Sequence, residues 1–305
     1  MSLFKKKKIC VTHNGTFHAD DLFSTAVLSI LNNGNIKVIR TRDPKIIAHA
    51  DYVYDVGGEN DMVRNRFDHH QKGGGGVRPN GIPYAAIGLV WKAYGEKICG
   101  DKDVAERIEH KIIQPIDATD VGFDIYDSKV KNIHPYGVEA IFLSEIPTWK
   151  EKHIGNLDWI FKKQLKKVIP LLKREIKIAR DDIDGINTLM NDYKNSIDKR
   201  IIVSSSDFPR YLLQDTLSRL PEPLYLVYPS SKSHTWKVEA IKKSPHTMES
   251  RKPFPLEWRG HMDKDEKLKE MTGVPDIIFC HQAGFYSTTE TKESAIKLAE
   301  RALLG

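Results

Sequence analysis

The stretch KICVTHNGTFHADDLFSTAVLSIL, residues 8–31, decides the fold class of the first half of the chain. Its opening apolar run predicts a short buried strand, and from Asp20 onward the apolar residues recur at helical spacing. The alternation continues, with a strand, a helix and a strand predicted at 36–40, 44–50 and 52–56. Strands that alternate with helices favour a mainly parallel sheet with helices on both faces. The sequence therefore predicts an α/β fold.

The length of the chain and a change of pattern in its second half predict two domains. With 305 residues, the chain exceeds the size at which one hydrophobic core stops growing. A long amphipathic helix is predicted from Asn156 to about Asp184, with a kink at Pro170. After Arg200 short strands return. We therefore expect a larger domain at 1–190 and a smaller α/β domain at 191–305.

Composition excludes several classes of protein. No apolar run approaches the ~20 residues that a membrane-spanning helix needs, so we expect no membrane association. The three cysteines, Cys10, Cys99 and Cys280, lie far apart and form no CxxC pair. This spacing argues against a disulfide framework or a structural zinc site and predicts a reducing, cytoplasmic setting. The net charge of +6 favours anionic partners, but only weakly.

Four segments near the start of the chain carry side chains that bind metal ions, each just beyond a predicted strand. They are His13-Asn-Gly-Thr-Phe-His18-Ala-Asp20-Asp21, Asp55-Val-Gly-Gly, Asp68-His69-His70 and Asp117-Ala-Thr-Asp120. In an open parallel sheet, ligands bind in the crevice beyond the carboxyl ends of the strands. We therefore expect the four loops to converge on one crevice.

Each segment taken alone also fits a simpler role. A histidine at a strand end can be merely hydrogen-bonded, and two acids in a first helical turn can interact with the helix dipole. Asp117 and Asp120 can cap a helix, and the sequence leaves open which of the two is a ligand. Taken together, imidazoles and carboxylates suit manganese or iron, and also magnesium. Two such ions ~3.5–4 Å apart can clamp the attacking and leaving oxygens of a phosphoryl displacement.

The second half contains a separate set of candidates for phosphate binding. Arg251 and Arg259 lie in loop-like context and could each grip a phosphate through two parallel hydrogen bonds, although surface arginines are an equally simple interpretation. His246 and His281 lie in similar loops. Gly284 would let the backbone approach an anion.

These motifs resemble those of a known family. Asp68-His69-His70 with the upstream His/Asp cluster resembles the DHH phosphoesterase superfamily, which includes RecJ-type exonucleases, oligoribonucleases and family II pyrophosphatases. More narrowly, the chain resembles the Myg family (melanocyte proliferating gene products), regarded as RNA exonucleases. The matching strings begin at Thr12 (THNGTFH), Arg40 (RTRDP), Asp55 (DVGGE), Arg66 (RFDHHQ), Pro147 (PTW), Pro245 (PHTMESR), Trp258 (WRG) and Phe279 (FCHQAGF).

The resemblance implies a DHH-like fold and a role for each candidate residue. One metal ion would be held by His13, His18 and Asp55. The other would be held by Asp20, Asp55, His69 and Asp120, with Asp55 as the bridge. The catalytic candidates are Asp21, Asp68 and His70. The smaller domain would bind the substrate through His246, Arg251, Arg259, His281 and Gly284.

The function that follows is hydrolysis of phosphodiesters, as a 3'–5' exonuclease on RNA or short oligonucleotides. It would need two divalent ions, with Mn²⁺ as the first expectation and Mg²⁺ or Fe²⁺ as alternatives. A small-molecule phosphatase or pyrophosphatase could use the same cluster. A metal-stabilised RNA-binding protein without turnover is the third hypothesis. The oligomeric state is not readable from the sequence, and a homodimer is left open.

Overall fold

The computed structural model describes residues 6–151, 156–262 and 265–305. The chain divides into two compact units, Met1–Arg180 and Asp181–Gly305. Helix 157–195 runs through this division. The sequence-based domain border at 190/191 also falls inside this helix, and as a border between functional domains it stays a prediction.

The sheet of the first unit has five strands in the order β2-β1-β3-β5-β4. They are β1 (Lys8–Thr12), β2 (Ile36–Arg40), β3 (Tyr52–Tyr54), β4 (Asn60–Asp61) and β5 (Arg66–Phe67). β1 pairs in parallel with β2 and β3, and β3 pairs in parallel with β5. β4 is antiparallel to β5, so the sheet is mixed. The prediction of an α/β fold is confirmed; β4 and β5 escaped prediction because two residues are too few to show an alternation.

The helices of the first unit alternate with the first strands and then follow one another along the chain, and the last of them continues into the second unit. They are α1 (Ala19–Leu31), α2 (Pro44–Ala48), α3 (Ala86–Cys99), α4 (Lys102–Ile108), a π-helical turn (Glu109–Ile113), α5 (Gln114–Asp120), α6 (Val138–Leu143) and α7 (Leu157–Asn195). A helical run thus continues from Lys102 through the π-helical turn to Asp120. The expectation that Asp117–Asp120 follows a strand was therefore wrong, because this segment is the last turn of a helix.

Helices lie against both faces of this sheet. On one face Val11 and Val53 pack with Ile47 of α2 in an apolar cluster. On the other face the hydroxyl of Tyr54 lies 2.5 Å from that of Thr25 in α1. Side chains of a strand alternate between faces, so β1 and β3 present one set of residues to each helix layer.

The second unit has its own sheet and its own core. Its strands are β6 (Ile201–Val203), β7 (Tyr225–Ser230), β8 (Thr235–Ala240), β9 (Ile277–Cys280) and β10 (Tyr286–Thr289), in the order β6-β7-β8-β10-β9. Only the β6–β7 pair is parallel among these. The helices are α8 (Arg210–Leu217), a 3₁₀ turn (Leu256–Trp258), α9 (Glu266–Thr272) and α10 (Lys292–Leu304).

The long helix α7 extends 39 residues and contains Pro170. It ends at Asn195, beyond the predicted end near Asp184, and Leu189 in this extra part is fully buried. The predicted kink at Pro170 stays a prediction. No helix in the described ranges is both long enough and apolar enough to cross a membrane.

Candidate metal centre

His13 follows directly on β1, and its ring is buried. Its Nδ1 lies 3.0 Å from the carbonyl oxygen of Asn14. Because a carbonyl oxygen can only accept, this hydrogen bond places the proton on Nδ1 and leaves Nε2 to bind a metal ion. Nε2 lies 3.0 Å from Oδ2 of Asp55 and 3.3 Å from Oδ2 of Asp21.

Asp55 lies immediately after β3 and has a backbone φ of +56°. This left-handed conformation is uncommon for a residue other than glycine, and such strain concentrates at functional sites. Its Oδ1 lies 3.2 Å from Nε2 of His69 and 3.5 Å from Nδ1 of His70, while Oδ2 faces His13. Asp55 therefore lies between the loop after β1 and the loop after β5.

The candidate ligands form two groups that meet at Asp55. In each group the ligand atoms, one per residue, lie within 4.8 Å of one another. The first ligand group is His13, His18, Asp21 and Asp55, and the second ligand group is Asp20, His69 and Asp120. Asp55 also groups with His69 and His70, so its carboxylate is within reach of both groups.

Asp120 lies among the histidines, whereas Asp117 does not. Oδ2 of Asp120 is 3.3 Å from Nε2 of His69, and Oδ1 is 3.6 Å from Nδ1 of His18. Asp117 instead forms an ion pair with Arg78, with 2.6 Å between Oδ2 and a terminal guanidinium nitrogen. The geometry thus separates the two acids that the sequence could not distinguish.

Asp117 holds the start of α3. Its Oδ1 accepts the backbone N–H groups of Ala85 and Gly88 at 3.1 and 2.9 Å. A Cβ at Gly88 would lie 2.0 Å from Oδ2 of Asp117 and 2.7 Å from the guanidinium of Arg78. Glycine is therefore required at this helical position by the close approach of a buried ion pair.

Asp20 and Asp21 are neighbours in the first turn of α1 with different environments. Asp20 accepts the backbone N–H groups of Ala86 and Ile87 at the start of α3. Asp21 accepts the N–H of His18 at 2.9 Å through Oδ2, while its buried Oδ1 has no hydrogen-bond partner among the described residues. The sequence makes Asp21 a catalytic candidate, whereas its carboxylate lies within the first ligand group.

Asp68 organises the loop that carries the adjacent histidines. Its Oδ1 accepts the backbone N–H groups of His69 and His70 and lies 2.8 Å from Nδ1 of His70. Its Oδ2 accepts the N–H of Gly58. Asp68 is buried, whereas the side chain of His70 is 63% exposed. His70 is therefore the member of this pair that solvent and a substrate can reach.

Crowded carboxylates shape the electrostatics of the centre. Burial, followed by repulsion from Asp55, raises the pKa of both Asp20 and Asp120. Burial raises the pKa of Asp55 too, but hydrogen bonds with His13 and His69 outweigh it and hold this pKa below its ordinary value. Burial lowers the pKa of His13, but Asp21 and Asp55 outweigh it and raise the pKa to about 10. Such a site strongly favours added positive charge.

The residues present fit divalent metal ions. Three imidazoles and four carboxylates converge in the two ligand groups, a donor set typical of manganese or iron and compatible with magnesium. The buried Oδ1 of Asp21 without a partner is a polar group that a cation would satisfy. Nε2 of His13 points toward the carboxylates and would bind an ion there once its proton is displaced.

A cleft of about 740 Å³ opens beside Asp55 and His70. Arg42, Arg64 and Arg66 line it, so its walls carry positive charge next to the acidic centre. Arg64 is paired with acids that include Asp61, but Arg42 and Arg66 donate to backbone carbonyls and, for Arg42, to the Asn14 side chain. The cleft suits an anionic substrate.

Arg259, Gly284 and His281 lie together in the second unit. Nε of Arg259 donates to the carbonyl of Phe254 at 2.8 Å, and a Cβ at Gly284 would lie 2.5 Å from this Nε. The N–H of Gly284 donates to the carbonyl of His281. His281 accepts the N–H of Ala283 on Nδ1, which leaves its proton on Nε2 when the ring is neutral.

Arg251 and His246 are placed differently. The guanidinium of Arg251 donates to the backbone carbonyls of Ser218, Pro221 and Pro223. It therefore ties two loops of the second unit together. His246 is exposed in a turn. The substrate-binding roles of the second-unit residues stay predictions.

Several residues of the centre escaped the sequence argument. Oε2 of Glu139 accepts the N–H of Ala19 at 2.7 Å, beside the ligands of α1. Arg42 donates to the same Asn14 carbonyl that His13 contacts. The string Arg-Thr-Arg-Asp-Pro carried Arg42 as a sequence signal, but nothing near Glu139 in the sequence marks its approach to α1.

Residues 8–303 match the family model MYG1_exonuc, described as an uncharacterised protein family (UPF0160). The human MYG1 exonuclease is 27% identical over 330 residues, covering 96% of this chain and 85% of that protein. A MYG1 protein of Dictyostelium discoideum is 29% identical over 322 residues, covering 97% and 96%. A MYG1 protein of Schizosaccharomyces pombe is 27% identical over 319 residues, covering 96% of both chains.

Proposed function

This chain belongs to the MYG1 exonuclease family, and we propose that it is a metal-dependent phosphodiester hydrolase that acts as an exonuclease on RNA or short oligonucleotides. The observation that carries the proposal is the position of Asp55. One of its carboxylate oxygens faces His13 and the other faces His69, and these two histidines lie on separate loops. A carboxylate in this position can bridge two ions. Phosphoryl transfer uses such pairs of ions, one for the attacking and one for the leaving oxygen.

Two divalent ions would be held by the two ligand groups. His13, His18, Asp21 and Asp55 would hold the first ion, and Asp20, His69, Asp120 and again Asp55 the second. We propose Mn²⁺, with Mg²⁺ and Fe²⁺ as alternatives that the same donors accept. When bound, the ions supply a lowered pKa for a coordinated water and neutralise charge on the leaving oxygen.

His70 is the proposed proton acceptor at the edge of the centre, where it would face the scissile phosphate. Asp68 contacts its Nδ1 at 2.8 Å and so keeps the proton on that atom in the neutral ring. The ring remains largely exposed and faces the arginine-lined cleft. Asp68 acts through His70 because its own oxygens are occupied by backbone N–H groups.

The substrate backbone would run through the arginine-lined cleft. Guanidinium groups bind phosphates through charge-assisted hydrogen bonds, and Arg42 and Arg66 have no carboxylate partner among the described residues. In the second unit we propose Arg259, His281 and Gly284 as a further phosphate contact. The two terminal guanidinium nitrogens of Arg259 donate to no acceptor in the part of the chain that is described. Those of Arg251, in contrast, already donate to backbone carbonyls.

One activity panel tests the proposal and separates it from the two other hypotheses. The Mn²⁺-loaded protein is incubated with pyrophosphate, with bis(p-nitrophenyl) phosphate and with RNA labelled at either end. Stepwise shortening of RNA from its 3' end, with slow pyrophosphate hydrolysis, is the expected result. Preference for pyrophosphate would replace the proposal by a phosphatase. RNA binding without any hydrolysis, in protein shown to carry metal, would replace it by a binding protein.

A further inference from the structure

A second cavity lies in the first unit, next to the metal centre. Its volume is about 670 Å³, within the range of small-molecule sites. Ala19, Thr119 and Glu139 contribute to its wall. Ala19 and Thr119 are sequence neighbours of proposed ligands, and Glu139 accepts the N–H of Ala19. The wall of the cavity therefore includes residues that are adjacent in sequence to His18, Asp20 and Asp120.

The lining of this cavity is mainly apolar and aromatic. Tyr126 and Tyr136 lie at its edge with 66% and 71% of their surface exposed. The apolar residues of the wall are Ile112, Pro115, Ile116, Pro135, Val138, Ala140 and Leu143. Such a surface is poorly suited to inorganic pyrophosphate or to a bare phosphate chain. It suits a flat, partly apolar ring that can stack on a tyrosine.

Few polar groups face the cavity. Lys111 is already paired with Glu175 at 2.5 Å. The carboxylate of Glu139 is fixed at the start of α1 by its hydrogen bond to Ala19. An acceptor fixed at the wall of an apolar cavity can bind an amino group on the edge of a ring. A few placed polar groups in an apolar pocket are typical of ligand sites.

We propose that this cavity binds a nucleobase, that of the nucleotide whose phosphate lies at the two ligand groups. The inference rests on the proposed function, because the phosphate is placed there by the metal centre. Stacking on Tyr126 or Tyr136 tolerates any base, since every base has a π-face. The site would thus let an exonuclease hold successive residues of different sequence at one place.

Binding of small probes tests the proposal without requiring turnover. Affinities of the Mn²⁺-loaded full chain for adenosine 5'-monophosphate and ribose 5-phosphate are measured by calorimetry. The base should improve the Kd at least about tenfold, which is ~1.4 kcal/mol. Tyr126→Ala and Tyr136→Ala together should remove most of this difference while leaving metal content unchanged. Trp159→Ala, an exposed aromatic of the same unit that does not line the cavity, should leave it unchanged.

A second variant blocks the cavity without deleting an aromatic ring. Ala140→Phe adds a side chain to the wall and should also abolish the preference for the nucleotide. The trinucleotide ApApA is measured in parallel: tighter binding than the monophosphate assigns the cavity to an RNA end, and weaker binding assigns it to a free nucleotide.

Equal wild-type affinities for the two probes would overturn the proposal, and so would a preference that survives all the variants. A further outcome is that the wild type is a dimer, which the two tyrosine substitutions convert to a monomer. If the protein then still bound adenosine 5'-monophosphate more tightly than ribose 5-phosphate, the apolar wall would be an interface between copies of the chain and not a base site. These outcomes do not depend on whether RNA is hydrolysed. Failure of the nucleobase proposal can therefore be distinguished from failure of the proposed function.

Discussion

Replacing Asp55 by asparagine should abolish turnover while leaving the fold intact. The carboxylate contacts His13 at 3.0 Å and His69 at 3.2 Å, so it faces a histidine of each ligand group. Asparagine has nearly the same shape, and it is one of the residues that tolerate the left-handed φ of +56° at this position. The substitution therefore removes charge without adding backbone strain.

The size of the effect follows from the charge that is lost. Unit charges 4 Å apart interact by about 4 kcal/mol at an effective dielectric constant of 20. A divalent ion beside the carboxylate would lose at least that much attraction, and the two ions would repel each other more strongly. About 4 kcal/mol corresponds to roughly three orders of magnitude in affinity. We expect at least one of the two ions to be lost at micromolar metal, and the rate to fall by at least about 100-fold.

The assay combines elemental analysis, phosphodiesterase rates and a thermal melt. Wild-type protein loaded with Mn²⁺ should contain close to two ions per chain, and Asp55→Asn no more than one. Asp101→Asn is the matched control, because Asp101 caps α4 through a hydrogen bond to Val104 N–H at 2.9 Å and belongs to neither ligand group. It should keep full metal content and rate.

Two results would refute the reasoning. If Asp55→Asn kept more than about a tenth of the wild-type rate, a loss below ~1.4 kcal/mol, Asp55 could not bridge the reacting centre. If the wild type itself bound no metal under loading conditions, the two-metal interpretation would fail for the whole centre.

Three further predictions test other parts of the molecule. Arg259→Ala should leave metal content unchanged and raise KM for a phosphodiester by a factor that corresponds to a loss of about 2–4 kcal/mol of binding free energy. Arg259→Lys should recover only part of this loss. Unchanged kinetics of Arg259→Ala at low salt would contradict the phosphate contact. Gly88→Ala should destabilise the fold by about 2–4 kcal/mol in urea denaturation, because the new Cβ would lie 2.0 Å from Oδ2 of Asp117. Gly137→Ala is the control, because a Cβ at Gly137 would meet no atom within 4 Å. Equal stability of the two variants would contradict the steric overlap at Gly88. Mn²⁺ affinity should rise as pH increases from 6 to 8, because the pKa of His13 is raised to about 10 and the ion must displace the proton that this ring holds. Calorimetry in buffers of different ionisation enthalpy should show proton release and an affinity that rises about tenfold per pH unit for each proton released, and a pH-independent Kd would contradict it.

The sequence by itself determined the class of fold and the identity of most candidate ligands. Strand and helix periods in residues 8–56 were long enough to predict β1, α1 and β2, which the structure places at Lys8–Thr12, Ala19–Leu31 and Ile36–Arg40. The resemblance to the Myg family is confirmed by the match over residues 8–303. Such signals are local: each depends on residues within one element or one short motif.

The choice between neighbouring acids depended on tertiary structure. Asp117 and Asp120 occupy one helix, and only the positions of Arg78 and His69 show that the first acid pairs with an arginine and the second lies beside a histidine. Asp21 lies with His13 because a capping turn fixes it there, which its sequence position next to Asp20 did not reveal.

Glu139 shows most clearly what local sequence does not encode. It lies 120 positions from Ala19 and yet accepts its backbone N–H, because α6 packs beside the start of α1. The aromatic cavity has the same origin, since its wall combines α5, α6 and the first residue of α1. Periodicity and motifs report which face of an element is apolar. Which distant side chains share a site depends on how the elements pack, and that is decided by the burial of the whole core.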